Sequence, residues 1–262
     1  MKPEQSAPRP RLLQRAEATL RRVARRRRRL HTAALVARGL VPRRDTTPRV
    51  YVLCYHDIGS ASARSFRDGL RALARVGPFL SWDDCLQVAA GEGHTRGPAF
   101  CLTFDDAYRS WVTSVLPVLN ELGLPAMFFV ATGEIGQRAS SLTWPQCRTL
   151  VDAGMSIGSH SHSHRPLLPL DDDAVRDELA ASKATLEDRL GIKVQDFCAP
   201  FGQPWQTYRP DRDTVLAAEV GYRSFVTTVR GAVRPGDSPF AVKRLTMEPE
   251  WPRLALLGRL EG

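Results

Sequence analysis

From residue 48 onward, short apolar stretches alternate with amphipathic stretches of helical period, and this alternation limits the fold more than any other feature. The sequence predicts strands at 48–55, 99–104, 126–130, 156–160, 194–198 and 225–227. It predicts helices at 65–76, 111–122, 144–153, 173–190 and 214–219, with a further short helix capped by Ser81. Strands that alternate with helices at this spacing form parallel βα units, whose strands are buried on both faces. Six or seven such units predict either a barrel or a wound sheet.

Polar side chains follow several of these strands. Asp105 and Asp106 come directly after the second strand, His160 ends the fourth, and Pro200 follows the stretch 194–198. In barrels and in wound sheets alike, functional groups collect at the C-terminal ends of the strands. We therefore expect these residues to share one pocket.

Adjacent carboxylates at the end of a buried strand repel each other and lose hydration, so a divalent cation is the natural partner that keeps both ionised. His160 and His164 are four residues apart, a spacing that directs both imidazoles to one side. With Asp106 they form a set of two histidines and one aspartate that leaves positions open, as a catalytic zinc site requires. His162 then points away and is expected to be exposed or to support the loop.

The formal net charge of +9 is concentrated at one end of the chain. Residues 1–47 contain 14 Lys and Arg against 3 Asp and Glu, a net charge of +11, so the other 215 residues balance at −2. We expect an Arg-rich arm that is helical or disordered. Such an arm is a solvated tail or binds an anionic membrane surface, and the sequence leaves this open. Specific nucleic-acid binding is not expected, because the rest of the chain has no basic excess.

No apolar stretch is long enough for a clear export signal or a membrane span. The run 32–37 is interrupted by Arg38, short of the roughly 7–15 apolar residues of a signal peptide. The sequence thus predicts a cytoplasmic protein, or one peripheral at the inner face of the membrane. The five cysteines are odd in number and contain no CxxC pair, so we expect core residues rather than a disulfide framework or a thiolate zinc site.

Two motifs resemble a known family. The segment 103–108, Thr-Phe-Asp-Asp-Ala-Tyr, and the segment 158–164, Gly-Ser-His-Ser-His-Ser-His, look like the first two motifs of the polysaccharide deacetylase family, also called the NodB-homology family or carbohydrate esterase family 4. The segments 124–130 and 142–144 also fit, and the resemblance covers roughly residues 50–246. The third motif, Phe-Cys-Ala-Pro-Phe-Gly at 197–202, lacks the usual arginine and is similar to the biofilm poly-N-acetylglucosamine deacetylase subgroup.

The resemblance implies a distorted (β/α)7-type barrel that removes acetyl groups from N-acetylated sugars. It also implies one divalent metal, commonly Zn²⁺, with Co²⁺, Ni²⁺ and Mn²⁺ as alternatives. By position, Asp105 would be the general base, and Asp106, His160 and His164 the metal ligands. The backbone N–H of Phe201 would stabilise the oxyanion.

The chain departs from the family pattern in two roles. Arg244 is a candidate to orient Asp105 in place of the missing arginine, although an exposed arginine is equally consistent with the sequence. Most family members carry a Leu-x-His near the C-terminus, but no histidine follows His164; His56, at the end of the first strand, resembles the N-terminal histidine that acts as the general acid in the biofilm subgroup. The alternative for His56 is a structural or substrate-contacting histidine.

The remaining candidates are substrate contacts. Tyr108 and Pro200 belong to the matched motifs, and Trp205 and Tyr208 follow the third one. The two aromatic residues after the motif either stack on a sugar ring or plug the end of the barrel.

The resulting division of the chain is a basic arm at 1–47, a catalytic domain at 48–250 and a tail at 251–262. Two other functions stay open: an O-acetyl carbohydrate esterase on the same scaffold, and a non-catalytic glycan-binding relative.

Overall fold

The computed structural model describes residues 47–250, in which seven parallel strands close into a barrel in the order β1 to β7. The strands are β1 (Arg49–Tyr55), β2 (Pro98–Asp106), β3 (Met127–Val130), β4 (Ser156–Ser159), β5 (Asp196–Cys198), β6 (Ser224–Arg230) and β7 (Val242–Thr246). Six α-helices accompany them: α1 (Ala63–Leu73), α2 (Trp82–Ala90), α3 (Leu116–Leu122), α4 (Trp144–Asp152), α5 (Asp172–Leu190) and α6 (Pro210–Glu219). The prediction of a (β/α)7-type barrel is confirmed, and the alternative of a wound sheet is wrong.

The apolar side chains of the strands divide into two clusters because successive residues point to opposite faces. In β1, Tyr51, Leu53 and Tyr55 belong to a large cluster that includes most of the helices. Val50 and Val52 belong to a smaller cluster that includes α2. Cys54 continues this second face of β1, and Thr103 and Asp105 continue the corresponding face of β2 toward its C-terminal end.

Several elements differ from the sequence prediction, among them the following three. The predicted helix 111–122 is a π-helical turn at Trp111–Val115 followed by α3. Helix α6 begins at Pro210, because proline is well suited to the first turn of a helix. Strand β7 was not predicted at all, since its Lys243 and Arg244 interrupt the apolar pattern that identifies a buried strand.

The five cysteines are all buried and free, as expected for core residues. Between residues 47 and 250, none of the helices is both long and apolar enough to cross a membrane. The basic arm, apart from Thr47, and the tail at 251–262 lie outside the described residues, as does the suggested contact of the arm with a membrane surface.

Candidate active site at the C-terminal ends of the strands

The ends of β2 and β4 bring Asp106, His160 and His164 together. One potential ligand atom from each residue lies within 4.8 Å of the others. The Nε2 atoms of His164 and His160 are 3.1 and 3.6 Å from the same oxygen, Oδ1 of Asp106. The three side chains therefore converge on a common point.

The surroundings of His160 orient it toward that point. Its ring is 2% exposed, and its Nδ1 lies 2.7 Å from the carbonyl oxygen of Cys198. A carbonyl can only accept a hydrogen bond, so Nδ1 carries the proton and Nε2 is left unprotonated on the side of Asp106. Burial lowers the pKa of His160, which favours the same neutral form.

The pKa values of the other two members reflect their contact with each other. Burial, the largest single influence, would raise the pKa of Asp106, but the hydrogen bond from His164 and the charges of the neighbouring histidines together lower it. Burial would lower the pKa of His164, but the hydrogen bond to Asp106 and the charges of the nearby carboxylates together raise it. One carboxylate oxygen and two imidazole nitrogens form a donor set that fits a divalent transition metal.

A carboxylate from helix α5 holds the loop between the two histidines. Oε2 of Glu178 accepts hydrogen bonds from the backbone N–H groups of His162 and Ser163 at 3.0 and 2.8 Å, and Oε1 accepts one from the Ser163 hydroxyl at 2.5 Å. The side chain of His162 is exposed, and its Nδ1 lies 2.9 Å from Oγ1 of Thr132. Glu178 was not predicted, although an acidic residue in the buried stripe beside Val175 and Leu179 is a detectable signal.

Asp105 forms a buried bidentate ion pair with Arg244. The Arg244 atoms Nη1 and Nη2 donate to Oδ1 and Oδ2 of Asp105 at 2.7 and 2.6 Å, and Nε donates to the Thr227 carbonyl at 2.8 Å. Arg244 is 1% exposed, so the alternative of an exposed surface arginine is wrong. Burial raises the pKa of Asp105, but the guanidinium of Arg244, together with the nearby His160 and His56, outweighs this effect and holds the pKa well below its usual value. Asp105 is therefore ionised at neutral pH.

Two thiols contact the same carboxylate. Sγ of Cys54 and Sγ of Cys198 each lie 3.5 Å from Oδ2 of Asp105. Burial is the largest influence on both thiols and raises their pKa well above the usual value. The sequence pattern predicted only core positions for these cysteines. The alternation of strand faces could have placed Cys54 beside Asp105, since both lie on the face that the smaller cluster occupies.

His56 follows β1 and lies on the solvent side of this group. One of its ring nitrogens, a carboxylate oxygen of Asp105 and Sγ of Cys54 are all within 4.8 Å of one another. The ring of His56 is exposed, while its carbonyl accepts a hydrogen bond from Nε1 of Trp111 at 3.1 Å. The structure therefore brings this histidine to Asp105.

The loop after β5 covers another side of the site. The ring of Phe201 is 51% exposed and its centroid lies 5.3 Å from that of His164. Within residues 47–250, the backbone N–H of Phe201 has no hydrogen-bond acceptor. Pro200 is buried, whereas Trp205 is 62% exposed. Tyr208 is buried, and its ring centroid lies 4.9 Å from that of Phe225. The predicted alternative, in which Tyr208 stacks on a sugar, is therefore wrong.

Tyr108 lies just beyond Asp106. Its side chain is half-buried, and burial, together with the Asp106 carboxylate, raises its pKa to about 12. The phenol is therefore protonated at neutral pH and is able to donate a hydrogen bond.

Backbone strain in the described residues is concentrated in these loops. The non-glycine residues with positive φ are Asp106, Ser161, His164, Phe201 and Trp205. All of them lie at the ends of β2, β4 and β5. Such conformations persist only where the surrounding structure enforces them, and they cluster at functional sites.

Comparisons with known proteins agree with this geometry. A sequence profile of the family described as "Polysaccharide deacetylase" matches residues 92–224, about half of the chain. YxkH of Bacillus subtilis (strain 168), which is named as a polysaccharide deacetylase, is 30% identical to this chain over 149 residues. The match covers 56% of this chain and 51% of YxkH. The chain thus spans about half the length of this curated relative.

Solved structures show the same fold. IcaB from Ammonifex degensii is similar with a TM-score of 0.71 and 27% identity, over 82% of this chain and 99% of that one. The Streptococcus pyogenes deacetylase PplD is similar with a TM-score of 0.72 and 24% identity, over 83% of this chain and all of that one.

Proposed function

The chain belongs to the polysaccharide deacetylase family, and from this premise we propose that it is a hydrolase that removes acetyl groups from the N-acetylated sugars of a glycan or glycoconjugate. The observation that carries the proposal is the position of an ionised carboxylate, Asp105, next to Asp106 and the two histidines that converge with it. The family membership predicted from the sequence motifs is confirmed by the profile match.

The metal site of this hydrolase would be Asp106, His160 and His164. Their mixed nitrogen and oxygen donors suit Zn²⁺ best, with Co²⁺, Ni²⁺ and Mn²⁺ as alternatives. When bound, such an ion acts as a Lewis acid that lowers the pKa of water and polarises a carbonyl oxygen.

Asp105 is the proposed general base, which accepts the proton of the attacking water. Arg244 holds both of its oxygens and so restricts the rotation of the carboxylate. The negative charge that develops on the acetyl oxygen would accept a hydrogen bond from the backbone N–H of Phe201.

His56 is the proposed general acid. Amide hydrolysis requires protonation of the departing nitrogen, because an amide anion is a very poor leaving group. The exposed ring of His56 and its position near Asp105 support this role. Tyr108 and the exposed ring of Trp205 are the proposed contacts for the sugar, whereas Pro200, which the sequence analysis included, is buried and is not proposed for this role.

Acetate release from short N-acetylglucosamine oligomers tests this function. We expect release by the metal-loaded protein and none after treatment with a chelator, with recovery on addition of Zn²⁺. A protein that releases acetate only from O-acetylated sugars would be the esterase. A protein that binds the oligomers but releases no acetate from either class would be a non-catalytic glycan-binding relative.

Substitution of His56 by alanine distinguishes amide from ester hydrolysis. We expect kcat for an N-acetyl substrate to fall by about 10²-fold, because loss of a general acid typically costs this much. An O-acetyl substrate should lose much less, since an alkoxide leaves more easily than an amide anion. Parallel assays on both substrates measure the difference, and His94→Ala, which removes an exposed histidine before β2, is the control. Unchanged amide hydrolysis in His56→Ala would remove this residue from the reaction.

Substitution of Glu178 by alanine should weaken metal binding. The three hydrogen bonds to the loop 162–163 are lost, and partners that orient metal ligands typically contribute about 10- to 100-fold in affinity. Competition with a chromogenic chelator measures Zn²⁺ affinity without any assay of activity. Asp177→Ala is the matched control, because Asp177 is exposed on the same helix. Equal affinities of the two variants would contradict the prediction.

A further inference from the structure

We infer that Cys54 and Cys198 are positioning residues that occupy Oδ2 of Asp105, so that the proton of the attacking water is accepted at Oδ1. The inference concerns how the base is presented, and it rests on the proposed function. The sulfur of each thiol has Oδ2 of Asp105 as its acceptor, so both act through the carboxylate; Sγ of Cys198 also lies within 4.8 Å of a ring nitrogen of His160.

The two oxygens of Asp105 have unequal surroundings. Oδ2 faces three donors: Nη2 of Arg244 at 2.6 Å and the two thiols at 3.5 Å. Oδ1 accepts a hydrogen bond from Nη1 of Arg244 at 2.7 Å, and no second donor to it is found within residues 47–250. The asymmetry therefore comes from the thiols, because the guanidinium contacts both oxygens almost equally.

Each carboxylate oxygen offers about two lone-pair directions, so the inventory of donors decides where a water molecule can be accommodated. At Oδ2, the guanidinium and the thiols occupy both lone-pair directions. At Oδ1, one direction is taken by the guanidinium and one is open. A water that delivers its proton to Asp105 thus binds at Oδ1.

Both sulfurs are present as neutral thiols and are able to donate. A thiol buried next to a carboxylate does not ionise, because a second negative charge would be both desolvated and repelled. Sγ of Cys198 also accepts a hydrogen bond from Nη2 of Arg244 at 3.1 Å. Its own proton has two acceptors, Oδ2 of Asp105 at 3.5 Å and the carbonyl of Ala199 at 3.8 Å. The charged and closer oxygen is the stronger acceptor.

The strand order explains why two cysteines meet at one oxygen. Cys54 is paired with Thr103 in the register of β1 and β2, so it lies one layer below Asp105. Cys198 ends β5, on the other side of the barrel. The carboxylate of Asp105 is thus contacted from below by Cys54 and from the side by Cys198.

Infrared spectroscopy of the S–H stretching region tests the contacts without reference to activity. The difference spectra between wild type and Cys54→Ala and between wild type and Cys198→Ala should each isolate one band at lower frequency than that of the buried control thiol Cys147, which Cys147→Ala identifies. Cys54→Ala and Cys198→Ala should each remove one of the two bands. In Asp105→Asn, the low-frequency bands should move toward the position of Cys147, because an amide is a weaker acceptor than a carboxylate. Bands of Cys54 and Cys198 that coincide with that of Cys147 would overturn the inference.

The kinetic arm measures the consequence for the reaction. We expect Cys54→Ala and Cys198→Ala to lower kcat by about three- to tenfold with an unchanged KM, since weak hydrogen bonds of this kind contribute modestly. Serine at either position should restore most of kcat, because a hydroxyl also donates to Oδ2. Equal kcat values for the alanine variants, Cys147→Ala and wild type would contradict the positioning role. If wild type releases no acetate, the proposed function fails, while the infrared result still decides the contacts.

Discussion

Asp105→Asn is expected to lower kcat for acetate release by about 10²- to 10⁴-fold, the usual contribution of a general base. An amide oxygen cannot take up the proton of water under these conditions, so the substitution removes the reaction step and keeps the shape of the side chain. The proposed metal ligands Asp106, His160 and His164 are unchanged. We therefore expect the variant to bind Zn²⁺ as tightly as wild type does.

Three measurements on the same preparation check this prediction: acetate release, the bound metal per chain, and the unfolding transition. His94→Ala serves as the control with normal activity. A variant with full metal content that retained more than about a tenth of the wild-type kcat would show that Asp105 is not the base.

Arg244→Met is expected to lower the free energy of unfolding by about 3–5 kcal/mol, the usual effect of removing one partner of a buried ion pair. The remaining carboxylate of Asp105 is only 2% exposed and would have lost its counter-charge. Methionine keeps much of the apolar volume, so the loss is chiefly electrostatic. Arg176→Met is the matched control: its partner Glu219 is about half exposed, and loss of such a surface pair costs about 1 kcal/mol or less.

The difference in the free energy of unfolding between wild type and Arg244→Met should also depend on pH. The guanidinium lowers the pKa of Asp105 in the folded protein, so its stabilising effect is complete above the unfolded pKa of about 3.9 and is lost as the pH falls through the lower folded value. Denaturation curves at neutral pH and at about pH 3 measure this change. If the difference in the free energy of unfolding between wild type and Arg244→Met stayed constant or became larger in acid, the ion pair would not be its source.

Much of the fold was encoded locally. The apolar runs of β1 and β2 and the helical period of α5 predicted parallel βα units, because burial on both faces and the 3.6-residue repeat leave direct traces in the sequence. Asp106 and His160 were recognisable because each lies at the end of an apolar strand, and His164 because it follows His160 by four residues. The roles of these residues in the reaction stay predictions until the experiments above are done.

Contacts between distant segments were not encoded in this way. Arg244 and Asp105 are 139 residues apart, and the sequence alone left Arg244 either beside Asp105 or on the surface. Strand β7 itself was missed, because a buried arginine contradicts the pattern that identifies buried strands. Glu178 could be recognised as an acidic residue in a buried helical stripe, but its partners, the backbone N–H groups of His162 and Ser163 and the Ser163 hydroxyl, are defined only by the fold.

The sequence by itself determined the repeating βα architecture, the family motifs and the residue types of the candidate site. Only the tertiary structure decided that Arg244 holds Asp105, that Cys54 and Cys198 lie at one of its oxygens, and that Tyr208 belongs to the core. The physical reason is that periodicity is a property of neighbouring residues, whereas these contacts arise when the barrel closes and strands from both ends of the domain become adjacent.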